Sequence, residues 1–420
     1  MPASVLLVAQ LSPPSTLVAA RRVAGLTKYL AQLGHRITVL SSVVSGEGEI
    51  EGAAAVIRTP DLIATRLNWR RRNLAALGGR SAGTYSRSSR LESVLVPDVA
   101  AISWVPFALP RALALQRRQR FDCVITTSPP QSAHLIGVAL RRRGVAWIAE
   151  LRDGWSFEPP RAHWPFRIQR RADRALENSL LRRASSAVAV TAPIVEDLRA
   201  RYSIPVMLIT NGFDPEDRAV GEGVEDLLDQ DRYSLVHTGR MAIARSTPGP
   251  LLDAVRLLRS SEAEQAARLE IVFAGPLSAD EAEMLANEDV AEIIRTVGTL
   301  ERGRALGLQR AADALLVVTE GSTRRSVATG KLFEYLAADR PILVLGKETE
   351  AARIVADVGA GFAVAADDPE EIAAALRRLL DDDPPRADEN AVRRYAYPKL
   401  AEEYSELIET VVEQRPKPPD

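Results

Sequence analysis

The chain has 420 residues, 46% hydrophobic and 26% charged, which suits two or three soluble domains. A single cysteine, Cys123, excludes an internal disulfide, and no uncharged apolar run reaches the roughly 18 residues of a membrane-spanning helix. Residues 1–200 hold 28 basic and 14 acidic residues, whereas residues 201–420 hold 26 and 41. A basic half can meet phosphates, nucleic acid or an anionic membrane. The first residues, MPASVLLVAQ, predict a strand rather than a signal peptide, so we expect a cytoplasmic protein.

Short apolar runs alternate with amphipathic helical patterns along the first half. The predicted strands are Ser4–Gln10, Arg36–Ser42, Asp122–Ser128, Ala146–Leu151, Ala187–Thr191 and Val206–Thr210. The predicted helices are Leu17–Leu33, Gln131–Arg143, Pro165–Arg183 and one that begins at Pro193. This alternation is typical of a parallel sheet with right-handed crossovers.

The alternation stops at an acidic stretch without a strong apolar period, Asp214–Arg232, which predicts a linker between domains 1–213 and 233–389. It then resumes with the predicted strands Ser234–Thr238, Glu270–Ala274, Ile293–Val297, Ala314–Thr319, Pro341–Leu345 and Gly361–Ala365. A last helix, Asn390–Glu413, is expected to pack back on the first domain. The prediction is an α/β protein of two Rossmann-like, doubly wound parallel-sheet domains that face a central cleft.

Four segments lie where such sheets bind ligands, just after predicted strands. They are Val236–Arg240 (VHTGR), Leu208–Asp214 (LITNGFD), Ser128–Gly137 (SPPQSAHLIG) and Thr329–Ala338 (TGKLFEYLAA, followed by DRPILVLG). Together they resemble the family-four retaining glycosyltransferases of the GT-B fold, above all a branch with SPP…HLIG, an RDxW segment and KLFEYLA. The resemblance runs from Ser4 to about Leu379. It implies a nucleotide-diphosphate-sugar substrate, no further cofactor and no metal.

The segment TGKLFEYLAA carries the predicted donor site. A helix that starts after Thr329 and Gly330 offers free amides and a positive dipole end to a diphosphate. Lys331 stands in the same first turn. Glu334 follows one turn later, and the resemblance implies that this glutamate binds the ribose hydroxyls of the donor.

Other donor-side residues are implied by the resemblance alone. Arg240 would bind the donor diphosphate, and Arg245 occupies the place of a second cation. The loop Gly298-Thr299-Leu300 would hold the base through backbone groups. Many family members carry a glutamate eight positions before the ribose glutamate, but Ser326 stands there in this chain. Glu320 could replace it if the loop is longer.

The first half supplies the predicted acceptor side. Ser15 and Thr16 open the first helix, where they could cap it or bind phosphate. His134 follows SPP at a helix start, and a catalytic role and a structural role are about equally supported. Arg152 and Asp153 end a strand, and Asp153 could orient an acceptor hydroxyl or stabilise positive charge at the anomeric carbon. The alternative for Asp153 is a helix cap or an ion pair with Arg152.

A membrane surface is a further hypothesis. Residues 66–90 contain seven arginines and no acidic residue, with Trp69, Leu74, Leu77 and Tyr85 interleaved. The stretch His163–Arg183 adds a basic amphipathic segment with Trp164 and Phe166. Such segments bind anionic leaflets, so we expect the protein to associate peripherally with the inner face of the cell membrane. The alternatives are a basic groove for a soluble phosphorylated acceptor and a flexible loop with no partner.

The sequence predicts a retaining, metal-independent glycosyltransferase that acts on a glycan or a lipid-linked saccharide in cell-surface polysaccharide biosynthesis. The alternatives are a nucleotide-sugar 2-epimerase of the same fold and a non-catalytic nucleotide-binding relative. A dinucleotide dehydrogenase and a P-loop enzyme are excluded because their glycine motifs are missing. Four scattered histidines give no zinc spacing, and no nucleic-acid partner is predicted. The donor sugar, its base and the acceptor stay open.

Overall fold

The computed structural model describes residues 2–15, 18–63, 95–159, 164–219, 223–224, 226–241, 248–286, 289–319, 324–381 and 385–415. The chain forms two compact units. The first unit comprises Met1–Asn211 and Tyr397–Asp420, and the second comprises Gly212–Ala396. In the part of the chain that the structure describes, no helix has the length and apolarity needed to cross a membrane.

The first unit is built on a seven-stranded sheet in which all pairs are parallel. Its strands are β1 (Ser4–Val8), β2 (Arg36–Ser42), β3 (Ala53–Thr59), β4 (Cys123–Ser128), β5 (Ala146–Leu151), β6 (Ser186–Ala189) and β7 (Val206–Leu208). The order β3-β2-β1-β4-β5-β6-β7 is that of a doubly wound sheet, which turns around at β1. The sequence missed β3, a half-buried strand of mostly small residues.

Helices cover both faces of this sheet. They are α1 (Val18–Gln32), α2 (Ala100–Ser103), α3 (Val105–Gln119), α4 (His134–Arg141), α5 (Arg167–Leu181) and α6 (Ala192–Arg201). Short 3-10 turns span Val43–Ser45 and Gln131–Ala133. The second of these turns takes the first three residues of the helix predicted from Gln131, and α2 and α3 were not predicted.

The second unit repeats the plan with six parallel strands in the order β10-β9-β8-β11-β12-β13. They are β8 (Tyr233–Thr238), β9 (Leu269–Ala274), β10 (Ile294–Thr296), β11 (Ala314–Val318), β12 (Ile342–Leu345) and β13 (Gly361–Val364). Its helices are α7 (Gly249–Ser261), α8 (Ala263–Ala267), α9 (Ala279–Leu285), α10 (Arg302–Ala311), α11 (Gly330–Ala338), α12 (Glu350–Asp357), α13 (Pro369–Asp381) and α14 (Glu389–Arg393).

The segment interpreted as a linker, Asp214–Arg232, belongs to the second unit. A 3-10 turn spans Pro215–Ala219, and Val224 and Leu227 are buried in the core of that unit. These two apolar residues are too few to give the segment a visible period. Their burial nevertheless makes this segment part of the second unit.

The chain then returns to the first unit through α15 (Tyr397–Glu413). This helix packs on α1, where the Tyr397 ring covers Gly25 so closely that a Cβ there would lie 2.3 Å from it. The single helix predicted over Asn390–Glu413 is wrong: the structure has α14 and α15 with a break between them. Pro398 has no N–H to donate, so it favours the first turn of a helix, and it is the second residue of α15. Phe213 and Ala396 form a bridge at the break.

Candidate functional site

Helix α11 begins with an open first turn. Thr329 is extended, with φ −70° and ψ 151°, and its side chain makes no capping bond. Its Oγ1 is buried and has no hydrogen-bond partner among the residues that the structure describes. Because Leu332, Phe333 and Leu336 are buried in the core, the helix is held firmly against its sheet. The Leu332 N–H donates to the carbonyl oxygen of Thr329, so the N–H groups of Gly330 and Lys331 and the Thr329 hydroxyl are the groups that could bind an anion.

Lys331 joins this turn to the loop after β8. Its Nζ lies 2.7 Å from the carbonyl oxygen of Arg240 and 2.8 Å from Nε2 of His237. His237 Nδ1 lies 2.8 Å from the carbonyl oxygen of Leu316. A neutral imidazole has one N–H, so Nδ1 donates to Leu316 while Nε2 accepts from Lys331. Burial and the neighbouring ammonium lower the pKa of His237 to about 3, which keeps the ring neutral.

The same loop needs its glycine. Gly239 has φ +79°, a backbone conformation that residues other than glycine rarely adopt. Its N–H donates to Ala274 O at 2.7 Å. A Cβ on Gly275 would lie 2.1 Å from Gly239 O. Arg240 is exposed beside this tight packing. Of the predicted donor residues, Arg240, Lys331, Gly330 and Thr329 are therefore brought together.

Burial also changes the chemistry of Lys331. The side chain is half-buried, and among the described residues no carboxylate lies within ion-pair distance of it. Burial lowers its pKa to about 7, since an ammonium group is less well solvated there than in water. A nearby phosphate would supply the missing negative charge.

Glu334 lies on the side of α11 that faces α10. Its side chain is 12% exposed, and Oε1 lies 3.7 Å from Nη2 of Arg302. Arg302 also bonds Asp217 Oδ2 at 2.6 Å. A small cavity adjoins this pair and is lined by Phe213, Asp217, Arg218, Leu306, Gln309, Arg310, Glu334, Ala337 and Ala338. The sequence did not single out Arg302, because only the fold places it beside Glu334.

The predicted base loop is open to solvent. Gly298, with φ +71°, and Thr299 are exposed, while Leu300 is half-buried against the core of the second unit. Exposed backbone groups next to an apolar side chain suit a flat heterocycle. Base binding by this loop stays a prediction.

In the first unit, Arg152 is held by backbone. Its guanidinium donates to Ser128 O at 3.2 Å and to Pro129 O at 2.8 Å, so it fixes the loop after β4. Asp153 follows β5 and is half-buried, as is Ser15 in the loop before α1. The acceptor roles of these residues stay predictions.

His134 is fully buried. Its Nδ1 lies 2.8 Å from Thr126 Oγ1, and its ring stacks on Trp155 with 5.8 Å between centroids. Burial lowers its pKa to about 3. A buried neutral ring fits the structural role better than proton transfer to a substrate, and the catalytic role of His134 stays a prediction.

The first unit also contains a buried ionic cluster that was not predicted from the sequence. Glu150 Oε2 lies 2.9 Å from Arg22 Nη2 and also accepts from the Tyr404 hydroxyl, and its Oε1 accepts from Thr127 at 2.6 Å. Arg22 donates further to the carbonyl oxygens of Ile209 and Thr210. The cluster therefore links α1, β4, β5, α15 and the segment after β7.

Several predicted residues lie outside the described part of the chain. They are Thr16, Arg245, Glu320 and the whole arginine-rich segment Arg66–Arg90. Ser326, which stands where many family members have a glutamate, is 7% exposed. Among the described residues, no group of three or more His, Cys, Asp or Glu side chains could hold a metal ion.

Solved structures with the same architecture span the whole chain. Sucrose-phosphate synthase from Thermosynechococcus elongatus aligns with a TM-score of 0.69 at 16% identity, over 98% of this chain and 100% of its own. A UDP-forming trehalose-phosphate synthase from Burkholderia xenovorans gives 0.65 at 14%, over 97% and 100%. A putative UDP-N-acetylglucosamine 2-epimerase from Listeria monocytogenes gives 0.59 at 14%, over 100% and 99%. The fold is GT-B.

Family models match both halves of the sequence. Residues 19–212 match the glycosyl transferase 4-like domain, and residues 232–382 match the glycosyl transferases group 1. No protein of curated function matches the sequence. Because the two models together span most of the chain, the protein belongs to the GT-B glycosyltransferases, with a family-four-like first half and a group 1 second half.

Proposed function

We propose that the protein transfers a sugar from a nucleoside-diphosphate-sugar to a saccharide acceptor, free or lipid-linked, with retention of anomeric configuration and without a metal ion. The observation that carries this proposal is the start of α11, where Lys331 bonds the Arg240 carbonyl beside an open helix terminus. Cations and free amides together are suited to a diphosphate that leaves with growing negative charge.

The proposed reaction forms a bond between an acceptor oxygen and the anomeric carbon while the bond from that carbon to the diphosphate breaks. The acceptor attacks from the face that the diphosphate leaves. The acceptor proton passes to an oxygen of the departing phosphate, so no protein acid is required. Arg240 and Lys331, with Arg245, would stabilise the diphosphate in place of a divalent cation.

The test is incubation of the protein with a panel of UDP-, GDP-, ADP- and TDP-sugars, with and without saccharide acceptors. We expect slow release of free sugar and nucleoside diphosphate from one donor alone, and a retained glycoside with acceptor, as read by proton NMR. A C2 epimer formed from the donor alone would support an epimerase instead. An inverted product, or activity that EDTA abolishes and magnesium restores, would contradict the proposed mechanism.

Glu334 provides a second test, because its carboxylate is proposed to accept hydrogen bonds from the ribose hydroxyls. Hydrogen bonds to a charged group contribute about 1.5–3 kcal/mol. Glu334→Ala should therefore raise the Kd of the nucleoside diphosphate roughly 10- to 140-fold in calorimetry.

Glu283→Ala is the matched control, since Glu283 is an exposed glutamate on α9 of the same unit. It should leave the Kd unchanged. Equal Kd values for Glu334→Ala and the unmodified protein would show that Glu334 does not bind the ribose.

A further inference from the structure

Two strongly exposed apolar side chains, Phe166 and Ile168, lie at the start of helix α5. Ile168 is 76% exposed and Phe166 is 63% exposed, the two highest values for large hydrophobic side chains among the residues that the structure describes. They stand two positions apart at the start of the helix. Two large apolar side chains exposed to this degree at one end of a helix favour a surface that meets a partner.

The same end of α5 carries four exposed arginines. Arg167, Arg170, Arg171 and Arg174 are spaced at i, i+3, i+4 and i+7, so they share one face of the helix. None of them forms an ion pair with a residue that the structure describes. Like charges at these spacings repel one another, and the face lacks its own counter-charge.

The acidic residues of α5 point the other way. Asp173 is buried and accepts from the indole N–H groups of Trp155 at 2.9 Å and Trp164 at 2.7 Å. Glu177 is buried and pairs with Arg201 at 2.8 Å. The helix therefore buries these two carboxylates and leaves its cations exposed.

We propose that this exposed end of α5, with Phe166, Arg167, Ile168, Arg170, Arg171 and Arg174, docks on an anionic lipid surface. Arginine guanidinium groups pair with lipid phosphates, and Phe166 and Ile168 enter the boundary between headgroups and acyl chains. The apolar pair decides between partners: a nucleic acid or a soluble polyanion would pair with the arginines but would leave an aliphatic side chain in water. The proposal goes beyond the proposed function and is tested without any substrate.

The test is sedimentation of the full chain with vesicles of phosphatidylcholine, with or without phosphatidylglycerol. Binding should require phosphatidylglycerol and weaken as salt rises, since salt screens exposed charges. The pair Arg170→Gln, Arg171→Gln should weaken binding about 25-fold, at roughly fivefold for each arginine. The pair Phe166→Ser, Ile168→Ser should also weaken it, without any change of charge.

The matched control is the pair Arg142→Gln, Arg143→Gln, which removes two exposed arginines of the same unit that do not belong to α5. It should retain most of the binding. If the control pair and the α5 arginine pair lose equal amounts of vesicle binding, binding depends on net charge alone and the proposal for α5 is overturned. Absence of vesicle binding, equal binding to neutral vesicles, or no effect of the apolar pair would also overturn it. Sugar transfer to a soluble acceptor, measured in parallel, separates these outcomes from failure of the proposed function.

Discussion

Replacing Glu150 with alanine is expected to lower the free energy of unfolding by about 3–5 kcal/mol, the cost of removing one partner from a buried ion pair. Arg22 and Glu150 are each 2% exposed. Without the carboxylate, the guanidinium would keep two backbone carbonyls but no counter-charge, and water could not replace it. Urea unfolding followed by circular dichroism measures the loss.

Two variants test this cause. Glu402→Ala breaks an exposed ion pair with Lys399 on α15 and should leave stability nearly unchanged, because water already solvates both groups. Combining Arg22→Met with Glu150→Gln removes both charges and should recover part of the loss. If Glu150→Ala is no more harmful than Glu402→Ala, the cluster does not stabilise the fold.

The cluster also makes stability depend on pH. Burial alone would raise the pKa of Glu150, but Arg22, Thr127 and Tyr404 outweigh burial and lower it. The folded pKa then lies below the unfolded value of about 4.3. The stabilisation is therefore complete above that value and is lost as the pH falls through the folded pKa. Glu150→Gln should remove this part of the acid sensitivity.

Binding of a nucleoside diphosphate is expected to weaken as the pH rises above about 7, because the pKa of Lys331 lies there. An ammonium group has three N–H donors, and two are directed at His237 Nε2 and Arg240 O. The third remains for a phosphate oxygen, whereas the neutral amine has neither this donor nor the charge. Above pH 7 each binding event therefore takes up a proton, and Kd rises by up to tenfold per pH unit.

The number of protons taken up on binding can be measured by titration calorimetry in buffers of different ionisation enthalpy. The second ionisation of a phosphate group has a pKa of about 6 and is nearly complete above about pH 7, so the pH dependence in that range mainly reports the protein. Lys331→Ala should raise Kd roughly 10- to 140-fold at pH 7, the equivalent of about 1.5–3 kcal/mol for a charged hydrogen bond. It should also flatten the pH dependence.

The control for this variant is Lys347→Ala, since Lys347 is a 60% exposed lysine of the same unit. It should change neither Kd nor its pH dependence. A Lys331→Ala protein that keeps the full pH dependence would show that another group takes up the proton.

Much of the architecture could be predicted because strands covered on both faces read as continuous apolar runs. Leu269–Ala274 and Ala146–Leu151 are buried at every position, and both were found within a residue of their observed bounds. Strand β3 is half-buried and rich in alanine, so its sequence carries no such signal. The break before α15 was missed because the apolar period continues across it.

In the candidate site too, local features could be predicted from the sequence and contacts between distant residues could not. The start of α11 could be recognised from TGK and the apolar run behind it, which are local features. The role of His237 could not, because its partner Lys331 lies 94 positions away. Likewise, the hydrogen bond between Tyr404 and Glu150 could not be predicted, because the two residues are 254 positions apart in the sequence.

That last separation has a consequence for synthesis on the ribosome. Glu150 and Arg22 emerge early, but the Tyr404 hydroxyl and the rest of α15 follow only after the whole second unit has been translated. Until then, apolar side chains of β4 and β5 on the side of the sheet that α15 covers, Ile125 and Ile148 among them, lack part of their cover. The first unit to leave the ribosome is thus the last to be completed, and a nascent chain stalled before Tyr397 should attract chaperones that bind exposed apolar surface.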